Sequence, residues 1–179
     1  MFSTIHYPFT YKLAQESQRE LIHNWLDQDH IKKWFPGQAV INTLEDLDLF
    51  FKGSPIFQHW IAYDQEVPFA YLLTTDVIKD PAARDIYAKW CLEEGAALTL
   101  DLFICDFDYL EKGHGVKLIH DFIKEQFPDA SEVFTDPEIA NTRAVQMYKN
   151  AGFEVFDEFN ASWHPVPHYR MRLSTKKIR

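Results

Sequence analysis

Cysteine is scarce in this chain, with only Cys91 and Cys105 among 179 residues. Two thiols build neither a disulfide framework nor a cysteine-rich zinc site. Glycine is sparse at six residues, and no Gly/Ser/Pro-rich linker, repeat or low-complexity tract divides the chain. One domain over residues 1–179 is expected. No apolar run approaches the roughly 18 residues of a membrane span. Met1-Phe2-Ser3-Thr4-Ile5-His6 has neither the basic start nor the apolar core of a signal peptide. A cytoplasmic location with no membrane partner is expected. Positive charge is also in deficit: 18 Lys plus Arg stand against 27 Asp plus Glu, a net charge of −9. That argues against a nucleic-acid partner, because neutralising phosphates needs a basic face. It suits a cationic ligand, and it equally suits the plain demand for solubility.

What is abundant is material for a core. Hydrophobic residues make up 46%, and aromatics reach 16% with fifteen Phe, enough to fill an interior and line a pocket. Tyr7 to Leu13 reads as an opening strand. Ser17-Gln18-Arg19-Glu20 has capping-box spacing before the helical stripe Leu21, Ile22, Trp25 and Leu26. His30, Ile31, Trp34 and Phe35 predict a short second helix stopped by Pro36-Gly37, and Thr43-Leu44-Glu45-Asp46 a third helix. Ile56 to Tyr63 and Pro68 to Thr75 flank the turn Asp64-Gln65-Glu66 as a hairpin. Val77 to Glu94 reads as loop with a helical turn or two. Then follow a strand at Leu98 to Cys105, a helix at Gly115 to Phe127 with Val116, Ile119, Ile123 and Phe127 inward, and a strand at Glu132 to Thr135. A helix at Asn141 to Asn150 and strands at Phe153 to Phe159 and Tyr169 to Leu173 complete the plan. This order is an α/β arrangement around a mixed sheet.

Five places carry candidate chemistry. Lys112-Gly113-His114-Gly115-Val116-Lys117 joins the best strand to the best helix. A helix start presents unpaired N–H groups to a phosphate, although a tight strand-to-helix turn explains the same glycines. It is neither a Walker loop nor a dinucleotide fingerprint. Asp101 alternates with Leu100 and Leu102 and so faces away from the leucines. A carboxylate inside so apolar a strand needs a partner or a purpose. Asp136 precedes Pro137 at the carboxyl end of a strand, where α/β sheets place ligands and where an Asx turn is also common. Asn141 and Tyr148 lie two helical turns apart on one face, either as cap and packing residue or as a site. His30 and Trp34 are candidates for either core or pocket. His6, His114, His164 and His168 have no metal-ligand spacing, and no metal is expected.

Asp101-Leu102-Phe103-Ile104, Lys112-Gly113-His114-Gly115, Thr135-Asp136-Pro137, Asn141-Thr142-Arg143-Ala144 and Tyr148-Lys149-Asn150-Ala151-Gly152-Phe153 occur in an order that resembles the GNAT-fold N-acetyltransferases. More narrowly, with Trp25-Leu26, His30-Ile31 and Trp34-Phe35 before them, they resemble the aminoglycoside 6′-N-acetyltransferases. The pattern is dense from Leu98 to Phe153. Leu110 stands where the family's phosphate motif has Gln or Arg, and Val77 to Ala97 matches poorly.

The resemblance implies a mixed, mostly antiparallel sheet flanked by helices, acetyl-CoA as acyl donor and a small-molecule amine as acceptor, in a monomer or homodimer. It implies Asp101 as general base or ammonium anchor, Tyr148 as general acid toward the thiolate, and Asp136 with His30 and Trp34 around the acceptor. Coenzyme contacts would come from Leu102, Phe103, Ile104, the Lys112–Lys117 loop and Asn141. No nucleophilic Cys is needed, and Cys105 reads as a small buried side chain. The leading reading is acetyl transfer to an aminoglycoside-like polycation. Alternatives are a siderophore-pathway acyltransferase using a hydroxylysine-type amine, whose relatives tend to carry His where this chain has Asp101, and a non-catalytic acyl-CoA-binding module, which would be expected to lack both Asp101 and Tyr148.

Overall fold

The computed structural model describes residues 8–54 and 56–179. Strand β1 (Thr10–Leu13) leads into helices α1 (Arg19–Leu26), α2 (Asp29–Lys32) and α3 (Gln38–Phe51). Strands β2 (Gln58–Asp64) and β3 (Val67–Asp76) form the expected hairpin, turning through Gln65 at φ +55°. Then come α4 (Pro81–Tyr87), β4 (Ala96–Ile104), α5 (His114–Gln126), β5 (Ala130–Thr135), α6 (Thr142–Asn150), β6 (Glu154–Asn160) and β7 (Pro167–Ser174). The strands form one sheet in the order β1-β2-β3-β4-β5-β7-β6, in which β4 and β5 are the parallel pair. The mixed α/β plan is the expected one.

Several boundaries moved for local reasons. Tyr7, placed in the first strand by sequence, lies outside the described residues. The turn before α1 is closed by Gln15 and Gln18 rather than by Ser17 and Glu20: the Gln15 N–H donates to Gln18 Oε1 at 2.9 Å. Helix α3 starts at Gln38, because Gly37 at φ +54° reverses the chain right after Pro36. Thr43 and Asp46, expected at its start, are buried inside it. The inward face of α5 is Gly115, Leu118, Ile119, Phe122 and Ile123, with Val116 and Phe127 at its margin. The helical turns expected within Val77–Glu94 form α4, which Asp80 caps by accepting from the Ala83 N–H at 3.0 Å, with Pro81 in the first turn.

The sheet is covered on both faces. Leu72, Leu98 and Leu100 point toward α5 and α6 and pack on Leu118, Ile119 and Phe122. Ile61, Tyr71 and Leu73 point the other way, against Ile22, Trp25 and Leu26 of α1 and Leu47 of α3. Cys105 is buried in this second layer, as expected of a small core side chain.

A polar network lies inside the second layer. His59 Nε2 donates to Asp46 Oδ2 at 2.9 Å, and the other Asp46 oxygen accepts the Ile56 N–H at 2.8 Å. The Phe57 N–H also donates to Asp46, at 3.0 Å. Burial pulls the Asp46 carboxyl upward, but His59 and the two backbone donors outweigh it and hold the group below its ordinary value. Asp46→Asn removes acceptor capacity and leaves buried donors short of a partner, so it should cost about 1–3 kcal/mol. Thermal unfolding should show the loss most clearly at neutral pH. It should shrink as pH falls through the folded-state pKa of Asp46, where the wild-type carboxylate also takes up a proton.

The feature that makes room for a site is the parting of β4 and β5. Their pairing runs only from Ala96 to Thr99 on β4 and ends at Phe134 on β5. Beyond it, Pro137 has no N–H to continue a ladder. The chain after β5 instead follows β7: the Tyr169 N–H donates to the Pro137 carbonyl at 3.0 Å, and the Ile139 N–H to the Pro167 carbonyl at 2.9 Å. Leu100–Ile104 therefore keeps its β3 neighbour and loses one on the β5 side.

Candidate active site

A cavity of about 800 Å³ occupies the gap, lined from both faces of the sheet. Asp101, Leu102, Phe103 and Ile104 of β4 form one wall. Asp136, Asn141 and Tyr148 form the opposite wall, and Gly113, His114 and Gly115 stand at the start of α5. His30 and Trp34 line the side toward the N-terminal helices. Three candidates do not line it. Lys112 is exposed, Val116 packs toward the core, and the Lys117 side chain is paired with Asp121 one turn along.

The two glycines of the loop serve different ends. Gly113 caps α5 in the left-handed region at φ +77°, with open space where a Cβ would sit. It offers no side chain to the first-turn N–H groups, which remain for a ligand. Gly115 is helical and buried, and a Cβ there would run into Met147 Sδ of α6. Its smallness serves the α5–α6 contact as well as any ligand.

The two carboxylates are only partly covered by protein, yet the depth of the cavity removes them from bulk water. Desolvation pushes the Asp101 carboxyl up to about 6. Desolvation and the charge of Asp101 push Asp136 up to about 8, against opposing pulls from Tyr87 and Arg170. Buried carboxylates that repel one another bind protons as a pair. Tyr148 is buried against Phe153, with ring centroids 5.3 Å apart. Burial raises its phenol well above the ordinary value; Thr135 and the Leu102 backbone pull it down, while Asp101 and Asp136 add to the rise. The phenol holds its proton at any ordinary working pH.

Asn141 caps α6 by accepting from the Ala144 N–H at 3.2 Å, which fixes the helix that carries Tyr148. His30 donates through Nε2 to the Ile104 carbonyl at 3.1 Å, pinning the end of β4. Sequence reasoning missed Tyr87, Glu138, Trp163 and His168, which also line the cavity. Tyr87 lies in the stretch with poor periodicity. The other three are brought in by the β5–β7 pairing, which no local pattern announces. The only hint was Glu138, two residues after Asp136.

The comparisons agree with this geometry. Residues 15–161 match the family described as acetyltransferase (GNAT) domain. The aminoglycoside N(6′)-acetyltransferase type 1 of Klebsiella pneumoniae is 27% identical over 152 residues, spanning 81% of this chain and 73% of that protein. The crystal structure of an aminoglycoside N(6′)-acetyltransferase from Legionella pneumophila is 45% identical with a TM-score of 0.84, covering 98% of this chain and 96% of that one. The aminoglycoside acetyltransferase AAC(6′)-Ib, solved with coenzyme A and kanamycin, shares the fold with a TM-score of 0.74 at 21% identity, over 94% of this chain and 95% of its own. With a family match over most of its length and a relative at this level of identity, the chain belongs to the GNAT acetyltransferases and is an acetyl-CoA-dependent N-acetyltransferase related to the aminoglycoside 6′-acetyltransferases.

Proposed function

We infer that the acceptor is a primary amine on an aminoglycoside-like polycation, acetylated by direct transfer in a ternary complex. The observation that carries this reading is the Asp101–Asp136 pair, two desolvated carboxylates facing the cavity that also holds Tyr148. An ammonium removes their mutual repulsion and makes charge-assisted hydrogen bonds. Relatives named for aminoglycosides support the same acceptor class.

Acetyl-CoA supplies the thioester carbonyl. The backbone edge at Leu102–Ile104, left without a strand partner by β5, suits the amides of its pantetheine arm, and the start of α5, where no side chain caps the first turn, suits its phosphates. Asp136 anchors the acceptor. Asp101, with a pKa raised toward the working range, takes a proton from the acceptor ammonium directly or through water, which frees the lone pair that attacks the thioester carbonyl; the nitrogen sheds its second proton to water as the intermediate collapses. As the C–S bond breaks, the Tyr148 hydroxyl gives its proton to the departing thiolate.

A thiol-release assay with acetyl-CoA against kanamycin-type aminoglycosides, polyamines and hydroxylysine tests the acceptor. Release with an aminoglycoside is the expected result, and none with any aminoglycoside overturns the reading. A second expected result concerns the donor. Replacing Gly113 and Gly115 together by Val strains the left-handed cap and collides with Met147, which itself lines the cavity. The acetyl-CoA dissociation constant should rise tenfold or more, a loss of about 1.4 kcal/mol. Unchanged coenzyme affinity in the folded variant would remove the loop from the site.

A further inference from the structure

The same cavity is also lined by Glu138, two residues beyond Asp136, and by groups that β7 and the β6–β7 connection bring in. The hydrogen bonds that tie Pro137–Ile139 to Pro167–Tyr169 set Glu138 beside His168, and Trp163 comes in from the β6–β7 connection. All three line the cavity. The Glu138 side chain is only 13% exposed, and its side-chain partner among the described residues is His164, whose Nε2 donates to Oε2 at 3.2 Å. One such bond leaves most of a carboxylate's acceptor positions unused.

His168 is oriented by its backbone neighbour. A carbonyl can only accept, so the 2.7 Å contact from Nδ1 to the Val166 carbonyl places the proton on Nδ1. Burial lowers the pKa of this ring, with the Val166 carbonyl and Glu138 opposing and His164 reinforcing. Its Nε2 therefore carries a lone pair. Trp163 adds an indole to the cavity wall, its ring 5.1 Å from His168, 5.9 Å from Phe35 and stacked on His164 at 6.1 Å. A carboxylate, an imidazole lone pair and an aromatic face all attract one kind of group, a cation with N–H donors.

We propose that Glu138, His168 and Trp163 form a second ammonium subsite, which holds a distal amine of the acceptor while another amine reacts at Asp101. This rests on the polycationic acceptor proposed above and narrows it to molecules with at least two separated amines. Glu138 and Trp163 are then specificity-determining residues: they strengthen binding of polyamines without touching the acetyl group.

The test is calorimetric binding to the full chain with coenzyme A present. The probes are a kanamycin-type aminoglycoside, spermidine and the single amine 6-amino-6-deoxyglucose. Glu138→Gln should weaken the aminoglycoside tenfold or more and shift the monoamine less than twofold. Trp163→Leu should give the same pattern at three- to tenfold, so the test survives if one variant does not fold. Equal weakening of mono- and polyamines, or none, overturns the subsite. Polyamine binding that depends on Glu138 without thiol release in the wild type would leave the subsite standing and remove the proposed reaction. Release with an aminoglycoside but no dependence on Glu138 would do the reverse.

Discussion

Tyr148→Phe should lower kcat by roughly ten- to a thousandfold while leaving the coenzyme dissociation constant within a factor of two. The substitution keeps the ring that packs on Phe153 and removes only the hydroxyl. General-acid contributions are typically 10²–10⁴-fold, and an alternative proton from water softens the loss. The effect belongs on kcat because the hydroxyl acts when the thiolate leaves, not when the substrates bind. A pH profile adds a second check. Burial raises the phenol well above its ordinary value, so the wild-type rate should show no downturn from Tyr148 between pH 6 and 9. If kcat survives the substitution within a factor of two, the proton comes from solvent.

Neutralising the two aspartates should separate chemistry from anchoring. Asp101→Asn should lower kcat roughly a hundredfold, in the range of a lost general base, and its residual activity should recover as pH rises and free amine becomes abundant. Asp136→Asn should chiefly raise KM for a polycationic acceptor, since it removes ground-state attraction. Equal effects confined to KM would make Asp101 an anchor as well. Stability should move in the opposite direction. Both carboxyls have native pKa values above the unfolded one, so the native state binds more protons than the unfolded chain. Stability then falls as pH rises from about 4 through the range in which the pair titrates. Removing one charge relieves this, and Asp136→Asn should melt higher than the wild type, with the larger gain at pH 8 than at pH 5. For a domain of this size each kcal/mol appears as about 2–4 °C. Such repulsion in the free state is what the proposed cationic acceptor would relieve.

Much of this was legible in the chain because it depends on local periodicity. Alternation across Leu98–Cys105 put Asp101 on the face opposite the leucines, and the parting of apolar from polar residues after His114 gave α5. Asn141 ahead of the Tyr148 helix was a cap by residue type alone, and the Asn141–Ala144 bond confirms it. The order of motifs from Asp101 to Phe153 carried the family, since the chemistry lies on consecutive strand ends and helix starts. Where the reading missed, a tertiary force displaced a local one. Thr43 and Asp46 have the composition of a helix start, yet both are buried inside α3, where Asp46 bonds to His59 and the Ile56–Phe57 backbone. Gly115 lines the cavity as expected, but its close approach to Met147, which packs α5 on α6, has no signal in the local sequence.

The sequence by itself determined the α/β plan, the family and the candidates Asp101, Asp136, Asn141 and Tyr148 that line the cavity, because each follows from spacing within one strand or helix. Only the tertiary structure decided that β4 and β5 part after Thr99 and Phe134, and that Tyr87, Glu138, Trp163 and His168 enter the same cavity as Asp101. It also decided that Asp101 and Asp136 repel across that cavity. The reason is physical: hydrogen bonding between strands far apart in the chain brings these groups together, and a carboxylate's ionisation responds to distance and burial rather than to its neighbours in sequence.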